Sequence, residues 1–227
     1  AVAAGFAVAA AAAFKFGKDS VAAYVEAEQS SVRLDEALKK FPATADRSRE
    51  SFDKLNTALA QKTKFDDDAT ASGQAVLAQF KLTGKQVQDL TPLLQDYAAK
   101  TGKDLPDAAN TLGKALLGKG KALSEVGIKF KDAGSVGKNF DQIMGGLRTQ
   151  VGGFATAEGK TAAGQAAIMR NQFGELQEKV GGALVPVLLK LAEKVQGVIA
   201  EFKNGTGVGG QFRDAFDKIK KSIDENR

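Results

Sequence analysis

The sequence contains no cysteine and no histidine. These absences exclude disulfides, thiolate nucleophiles, the usual Cys/His zinc sites and every catalytic role that depends on imidazole. They leave the compartment open, because a disulfide-free protein can fold on either side of a membrane. We therefore expect a protein that is not an enzyme, and we expect neither a metal nor a cofactor.

Large side chains are also scarce in this chain of 227 residues, which has no tryptophan, two tyrosines and two methionines. Alanine and glycine fill much of the apolar share. Small side chains allow close helix contacts but bury little area per residue. The composition therefore predicts helices that need partners to complete their burial.

The charge balance is weakly cationic, with 32 basic and 27 acidic residues and a net charge of +5. Both signs are interleaved along the chain and do not gather in a block. This pattern is typical of solvated helix faces. No sequence-specific nucleic acid is expected as a partner.

The chain opens with an Ala-rich apolar run, residues 1–16, whose only charge is Lys15. The order of charges is not that of a signal peptide, and the run reads as the cut end of a longer protein. It falls short of the roughly 20 apolar residues that span a bilayer. Two interpretations stay open: an Ala-rich helix packed on neighbours, or a membrane segment extended by upstream residues.

Proline is rare and β-branched runs are almost absent, which favours helix nearly everywhere. The predicted fold class is all-α, with long helices plus a compact module of short helices, bundle-like or rod-like and oligomeric. We divide the chain into five segments. They are an Ala-rich segment with long helices (1–63), a compact short-helix module (64–130), a Gly-rich loose connection (131–160), a long helix kinked at Pro186 (161–203), and a Gly hinge with an amphipathic C-terminal helix (204–227).

Several helix ends are predicted by capping residues. Thr83 and Asp104 have the residue types that accept hydrogen bonds from a first helical turn, and Gly102 and Gly127 suit left-handed helix ends. The acidic cluster 66–68 could bind a cation, but it is explained more simply as a cap and dipole partner of the next helix.

The long helix 161–203 carries an apolar stripe with spacings of three, four and four residues. This eleven-residue period corresponds to about 3.67 residues per turn and predicts a nearly straight or slightly right-handed rod or bundle. The stripe consists of Phe173, Leu176, Val180, Leu184, Val187, Leu191, Val195, Val198 and Phe202.

Other motifs have simpler explanations. The string GKALLGKG at 113–120 lacks the hydroxyl residue of a phosphate loop, and GTGVGG at 205–210 follows helix-like sequence in place of a strand. Carboxylate pairs such as Glu26 with Glu28, Asp104 with Asp107 and Glu175 with Glu178 are interpreted as solvated helix faces. No catalytic or cofactor-binding residue is predicted.

Two stretches resemble phage tail tape-measure proteins. Residues 82–130 contain an AAxTGxDL turn, a glycine-bounded loop and a VGI step, and residues 164–188 are similar to that family's GxxxxxxNxFGxLxxxxGxxLxPxL helix. The residues of structural importance that this resemblance implies are Thr101, Gly102, Asp104, Gly118, Gly127, Gly164, Asn171, Phe173, Gly174, Gly181 and Pro186.

The resemblance implies a fragment of a long helical protein that lies in the virion, inside the phage tail. Such a protein sets tail length during assembly and leaves ahead of the DNA. Its implied partners are further copies of itself, with a trimer as one arrangement, and tail-tube and tail-tip proteins (distal tail, baseplate hub). The alternative is a membrane-inserting conduit that helps the genome pass the host cell envelope, with the host membrane as partner.

Overall fold

A computed structural model describes residues 2–204 together with 206, 207, 211, 214, 217, 218 and 221; it does not describe the side chains of 2–11, 195, 198 and 202. In this part of the chain every regular element is helical and no strand occurs, which confirms the all-α fold class. The predicted C-terminal amphipathic helix and most of the Gly hinge lie outside the described residues.

The described residues form eight α-helices and two short 3-10 turns. The turns are Pro42–Thr44 and Lys121–Val126. The helices are α1 (Val2–Lys40), α2 (Arg49–Ala60), α3 (Asp67–Ala78), α4 (Gly84–Thr101), α5 (Leu105–Leu116), α6 (Val136–Gln150), α7 (Phe154–Gly159) and α8 (Ala162–Asn204).

The predicted helix ends are confirmed. Side-chain oxygens of Asp66, Thr83 and Asp104 accept hydrogen bonds from backbone amides of the first turns of α3, α4 and α5, at 2.6, 3.1 and 2.8 Å. Gly102 and Gly127 adopt left-handed φ angles of 71° and 80°. Local capping chemistry therefore determines where these helices begin and end.

The chain divides into two compact units, and the larger comprises residues 22–178. Its core lies among α2 to α6, with contributions from the end of α1. Helix α3 packs closely on its neighbours because glycines occur at the contacts: an added Cβ at Gly73 would lie 3.0 Å from Leu94, and one at Gly113 would collide with Phe80. The fully buried large side chains include Phe52, Leu77, Leu90, Leu94, Tyr97, Leu112 and Ile143.

Residues 131–160 are more regular than the loose connection that their glycines suggested, because they form α6 and α7. The apolar residues of α6 share one buried face, while Gly137 and Gly145 lie on its exposed side. The spacing of the apolar residues outweighs the low helix propensity of glycine. Those buried residues are Phe140, Ile143, Met144 and Leu147.

The smaller unit comprises residues 1–21 and 179–227. In it the start of α1 meets the second half of α8, where Gly17 lies next to Leu184. An apolar cleft of about 360 Å³ lies beside this contact, lined by Phe14, Val21 and Leu188. Within the described residues, no helix has both the length and the apolar character needed to cross a bilayer.

An acidic cluster marks the start of α3. The Ser30 hydroxyl of α1 donates to the backbone carbonyl of Asp68 at 2.8 Å. Burial, followed by the charges of Asp67, Asp66 and Glu26, raises the pKa of Asp68 to about 6, and the nearby charge of Arg49 offsets only part of this rise. Among the described residues no group of side chains has the arrangement of a metal site.

The Asp68 carboxyl should make stability depend on pH. Because its folded pKa lies above the unfolded value of 3.8, folding takes up a proton, and stability falls as pH rises from about 4 to 7. We expect Asp68 to contribute about 1 kcal/mol to this fall. Urea unfolding at pH 5 and pH 7 should show a smaller difference for Asp68→Asn than for the parent chain.

The exposed Asp141 of α6 provides the control for this experiment, since Asp141→Asn changes the net charge equally. The control should keep the pH dependence of the parent chain. An unchanged pH dependence in Asp68→Asn would contradict the assignment.

Candidate functional site

A polar network lies buried where α2, α3 and α4 meet. The side-chain amides of Asn56 and Gln74 are paired reciprocally, at 3.0 and 2.7 Å, and Gln74 also donates to the Thr91 hydroxyl at 3.3 Å. All three residues are at most 2% exposed. Since amide pairs tolerate little sliding, this network determines the register of three helices.

A second network continues along the same helices. The Gln95 side chain accepts from Thr63 at 3.2 Å and donates to Thr70 at 2.9 Å. The Thr63 hydroxyl shares its single proton between Gln95 and the Leu59 carbonyl, and the Thr70 hydroxyl donates to the Asp66 carbonyl. The residues in the two networks are amides and hydroxyls whose hydrogen bonds hold neighbouring helices in position.

The buried carboxylate of Asp96 in α4 holds α7 in place. It accepts hydrogen bonds from the backbone amides of Gly153 and Ala155, both at 2.8 Å. Gly153 occupies the N-cap of α7 and has no side chain with which to cap it. Asp96 therefore caps a helix that lies more than fifty residues further along the chain.

The loop between α2 and α3 meets α7 and α8 at a junction formed by residues 62–64, 158–159, 164 and 171, which we call the loop junction. The Lys64 ammonium pairs with Glu158 at 3.0 Å, and the Asn171 amide donates to the Lys64 carbonyl at 3.0 Å. Gly159 lies so close to the Lys62 carbonyl that no Cβ would fit. The loop junction ties together regions about a hundred residues apart in sequence.

The motif residues of the first stretch lie at separate helix ends and turns. Thr101 donates to the Tyr97 carbonyl at 2.8 Å beside the left-handed Gly102, and Asp104 caps α5. Gly118 has a φ angle of 88° and faces the carboxylate of Asp132, which leaves no room for a side chain. These residues do not converge on a pocket; each serves a local turn.

The motif residues of the second stretch lie along α8. Gly164 and Asn171 both belong to the loop junction, where an added Cβ at Gly164 would collide with the end of α7. Gly174 has open space around its Cα, and Gly181 is buried. Phe173 is 51% exposed, and Pro186 lies inside α8.

Several positioning residues were missed by reasoning from the sequence: Asn56, Gln74, Gln95 and Asp96. The sequence feature that could have identified them is a polar residue at a helical position where the apolar spacing predicts an apolar residue. Asn56, four residues after Phe52, occupies the buried face of α2, whereas Leu55 and Leu59 are only half-buried.

The apolar stripe of α8 is largely exposed in both units. In the larger unit the stripe residues Phe173 and Leu176 are 51% and 52% exposed, and Met169, which precedes the stripe by four residues, is 69% exposed. In the smaller unit Val187 and Leu191 are also more than half exposed, and the stripe residues Val195, Val198 and Phe202 have side chains outside the described set. Exposed apolar rows of this kind are typical of interaction surfaces.

Comparison of the chain with protein-family models, with curated proteins and with solved structures gives no match.

The reciprocal amide pair should show strong coupling in a double-mutant cycle. We expect Asn56→Leu and Gln74→Leu each to destabilise the fold by about 1 to 3 kcal/mol, because each leaves a buried amide without its partner. The double variant should cost less than the sum of the two, since neither amide then remains. Additive losses measured by urea unfolding would show that the pair is not coupled.

Two motif glycines in α8 should respond oppositely to alanine. Gly164→Ala should destabilise the fold by about 1 to 3 kcal/mol, because the methyl group has no room against the end of α7. Gly174→Ala, the matched control, should stabilise it by roughly 0.5 to 1 kcal/mol through helix propensity. Thermal and urea unfolding of both variants checks this, and effects of the same sign would contradict the packing at the loop junction.

Proposed function

We propose that this chain is a structural, non-catalytic segment of a bacteriophage tail tape-measure protein. In this role it lies inside the tail of the virion, sets tail length during assembly and leaves ahead of the DNA during ejection. Its partners are further copies of itself and the tail-tube and tail-tip proteins.

One observation carries this proposal: several of the residues behind the resemblance occupy helix ends, turns and close contacts that the fold requires. Gly102, Gly118 and Gly127 have positive φ angles, Asp104 caps α5, and Asn171 ties α8 to a distant loop. A motif whose members serve helix ends and junctions supports a scaffold role, because catalytic motifs converge on a reacting group.

The exposed row of Met169, Phe173 and Leu176 supports contact with other helices. A soluble helix normally buries such a face, and this row is exposed within its own unit. The surroundings expected for a tape-measure protein, neighbouring copies and tube subunits, would cover such a row.

The mechanism is a conversion of residue number into length. Helix α8 has 43 residues and would extend over roughly 64 Å at the helical rise. Chain length would in this way set tube length.

Changing the length of α8 in a phage that carries this chain tests the proposal. Deleting residues 187–197, one period of the apolar stripe, should shorten the tail by about 16 Å, and duplicating them should lengthen it equally. Electron microscopy of purified particles measures mean tail length. Val187→Leu, a conservative change in the same segment, should leave tail length unaltered. Unchanged tails after both the deletion and the duplication would refute the proposal.

A further inference from the structure

An open groove runs between α1 and α3 in the larger unit. Its α1 wall consists of residues 33, 36, 37 and 40, and its α3 wall of residues 72, 75 and 76 with the C-cap residue 79. Phe41 and Pro106 also line it, and its volume is about 600 Å³. We call it the α1–α3 groove. Ala37 and Ala75 are buried and Val76 is half-buried, so its interior is apolar.

The two walls share one spacing. Positions 33, 36, 37 and 40 of α1 and positions 72, 75, 76 and 79 at the end of α3 each follow the spacing i, i+3, i+4 and i+7, with Gln79 as the C-cap of α3. Seven residues of helix extend over roughly 10 Å. The groove is therefore a straight trough, two helical turns long on both sides. An amphipathic helix can lie in such a trough with its own apolar positions between the walls.

The rim of the groove carries unbalanced positive charge. Arg33 and Lys40 are exposed on the α1 wall, and neither has a carboxylate partner in the described part of the chain. Glu36, between them, is paired with Lys39 at 3.0 Å. Of the three charged residues that line the groove, Arg33 and Lys40 are therefore cations without a carboxylate partner among the residues that the structure describes, and they lie beside an apolar floor.

From this combination we propose that the α1–α3 groove binds an amphipathic helix of another protein whose flank is acidic. An apolar helix seated in the trough would shield Arg33 and Lys40 from water, which is unfavourable unless carboxylates pair with them. A nucleic-acid backbone would satisfy the cations but would leave Ala37, Ala75 and Val76 against phosphates. An acidic amphipathic helix would place apolar side chains on the floor and carboxylates beside the cations of the rim. This inference does not depend on the proposed tail function.

Two synthetic helix-forming peptides test the proposal against the full chain by fluorescence anisotropy. Both carry leucines at i, i+4, i+7 and i+11; one has glutamates on its flanks and the other has lysines. The acidic peptide should bind saturably and about tenfold more tightly than the basic one, a difference of about 1.4 kcal/mol. The advantage should shrink as sodium chloride rises from about 0.05 to 0.3 M.

Variants locate the binding. Arg33→Glu combined with Lys40→Glu should reverse the preference, so that the lysine peptide becomes the tighter ligand. The matched control combines Lys119→Glu with Lys138→Glu, which changes net charge equally at exposed positions away from the groove and should keep the original preference. Val76→Glu should weaken the binding of both peptides, because it places a charged side chain on the apolar floor. Circular dichroism verifies that each variant remains folded.

Four outcomes of the binding experiments would overturn the proposal. The first three are the absence of saturable binding, equal affinity for both peptides, and an equal effect of the control and rim variants. The fourth is that single-stranded oligonucleotides bind more tightly than the acidic peptide and that the rim variant abolishes this oligonucleotide binding. Sedimentation showing a dimer that Arg33→Glu with Lys40→Glu dissociates would also overturn it, since the occupant would then be a second copy of this chain.

Discussion

The larger unit depends on the close packing of α3 against α2, α4 and α5. Gly73 on α3 lies so close to α4 and α5 that an added Cβ would be 3.0 Å from Leu94 and 3.4 Å from the carbonyl oxygen of Leu105. Dispersion contacts and apolar burial are strong at such short separations, and they are lost rapidly when a side chain is enlarged. The rest of the core, including Phe52 and Leu112, is arranged around this contact.

Close apolar packing alone does not fix the register of helices built from alanine and leucine, because one small residue packs much like the next. The amide pair of Asn56 with Gln74 and the Thr63, Thr70 and Gln95 network supply the missing specificity. Every amide group named in these networks finds a partner inside the protein, and a shift by one residue would leave it buried without one. Asp96 extends the same principle to α7 through two backbone amides.

The outward faces of the two units carry the features that bear on function. The exposed apolar residues of α8 and the cationic rim of the α1–α3 groove both lie on the surface of their units and not in the core. A scaffold that meets several partners would use separate surfaces of this kind. The proposed tape-measure role and the proposed helix-binding groove therefore concern different parts of the chain and can be judged separately.

The sequence by itself determined the helical class and the starts of α3, α4 and α5, because these depend on contacts within one or two turns. Asp66, Thr83 and Asp104 act on amides three residues away, and Gly102 and Gly127 act on their own φ angles. Such short-range effects are readable from neighbouring residues.

Only the tertiary structure decided which faces are buried and which polar groups meet. Gln74 and Asn56 are eighteen residues apart, and Asn171 meets a loop 107 residues away; no local pattern encodes either distance. The glycines of 131–160 suggested a loose segment, yet packing of Phe140 and Leu147 on the core orders it. The apolar period of α8 was visible in the sequence, but its exposure depends on what the other helices leave uncovered.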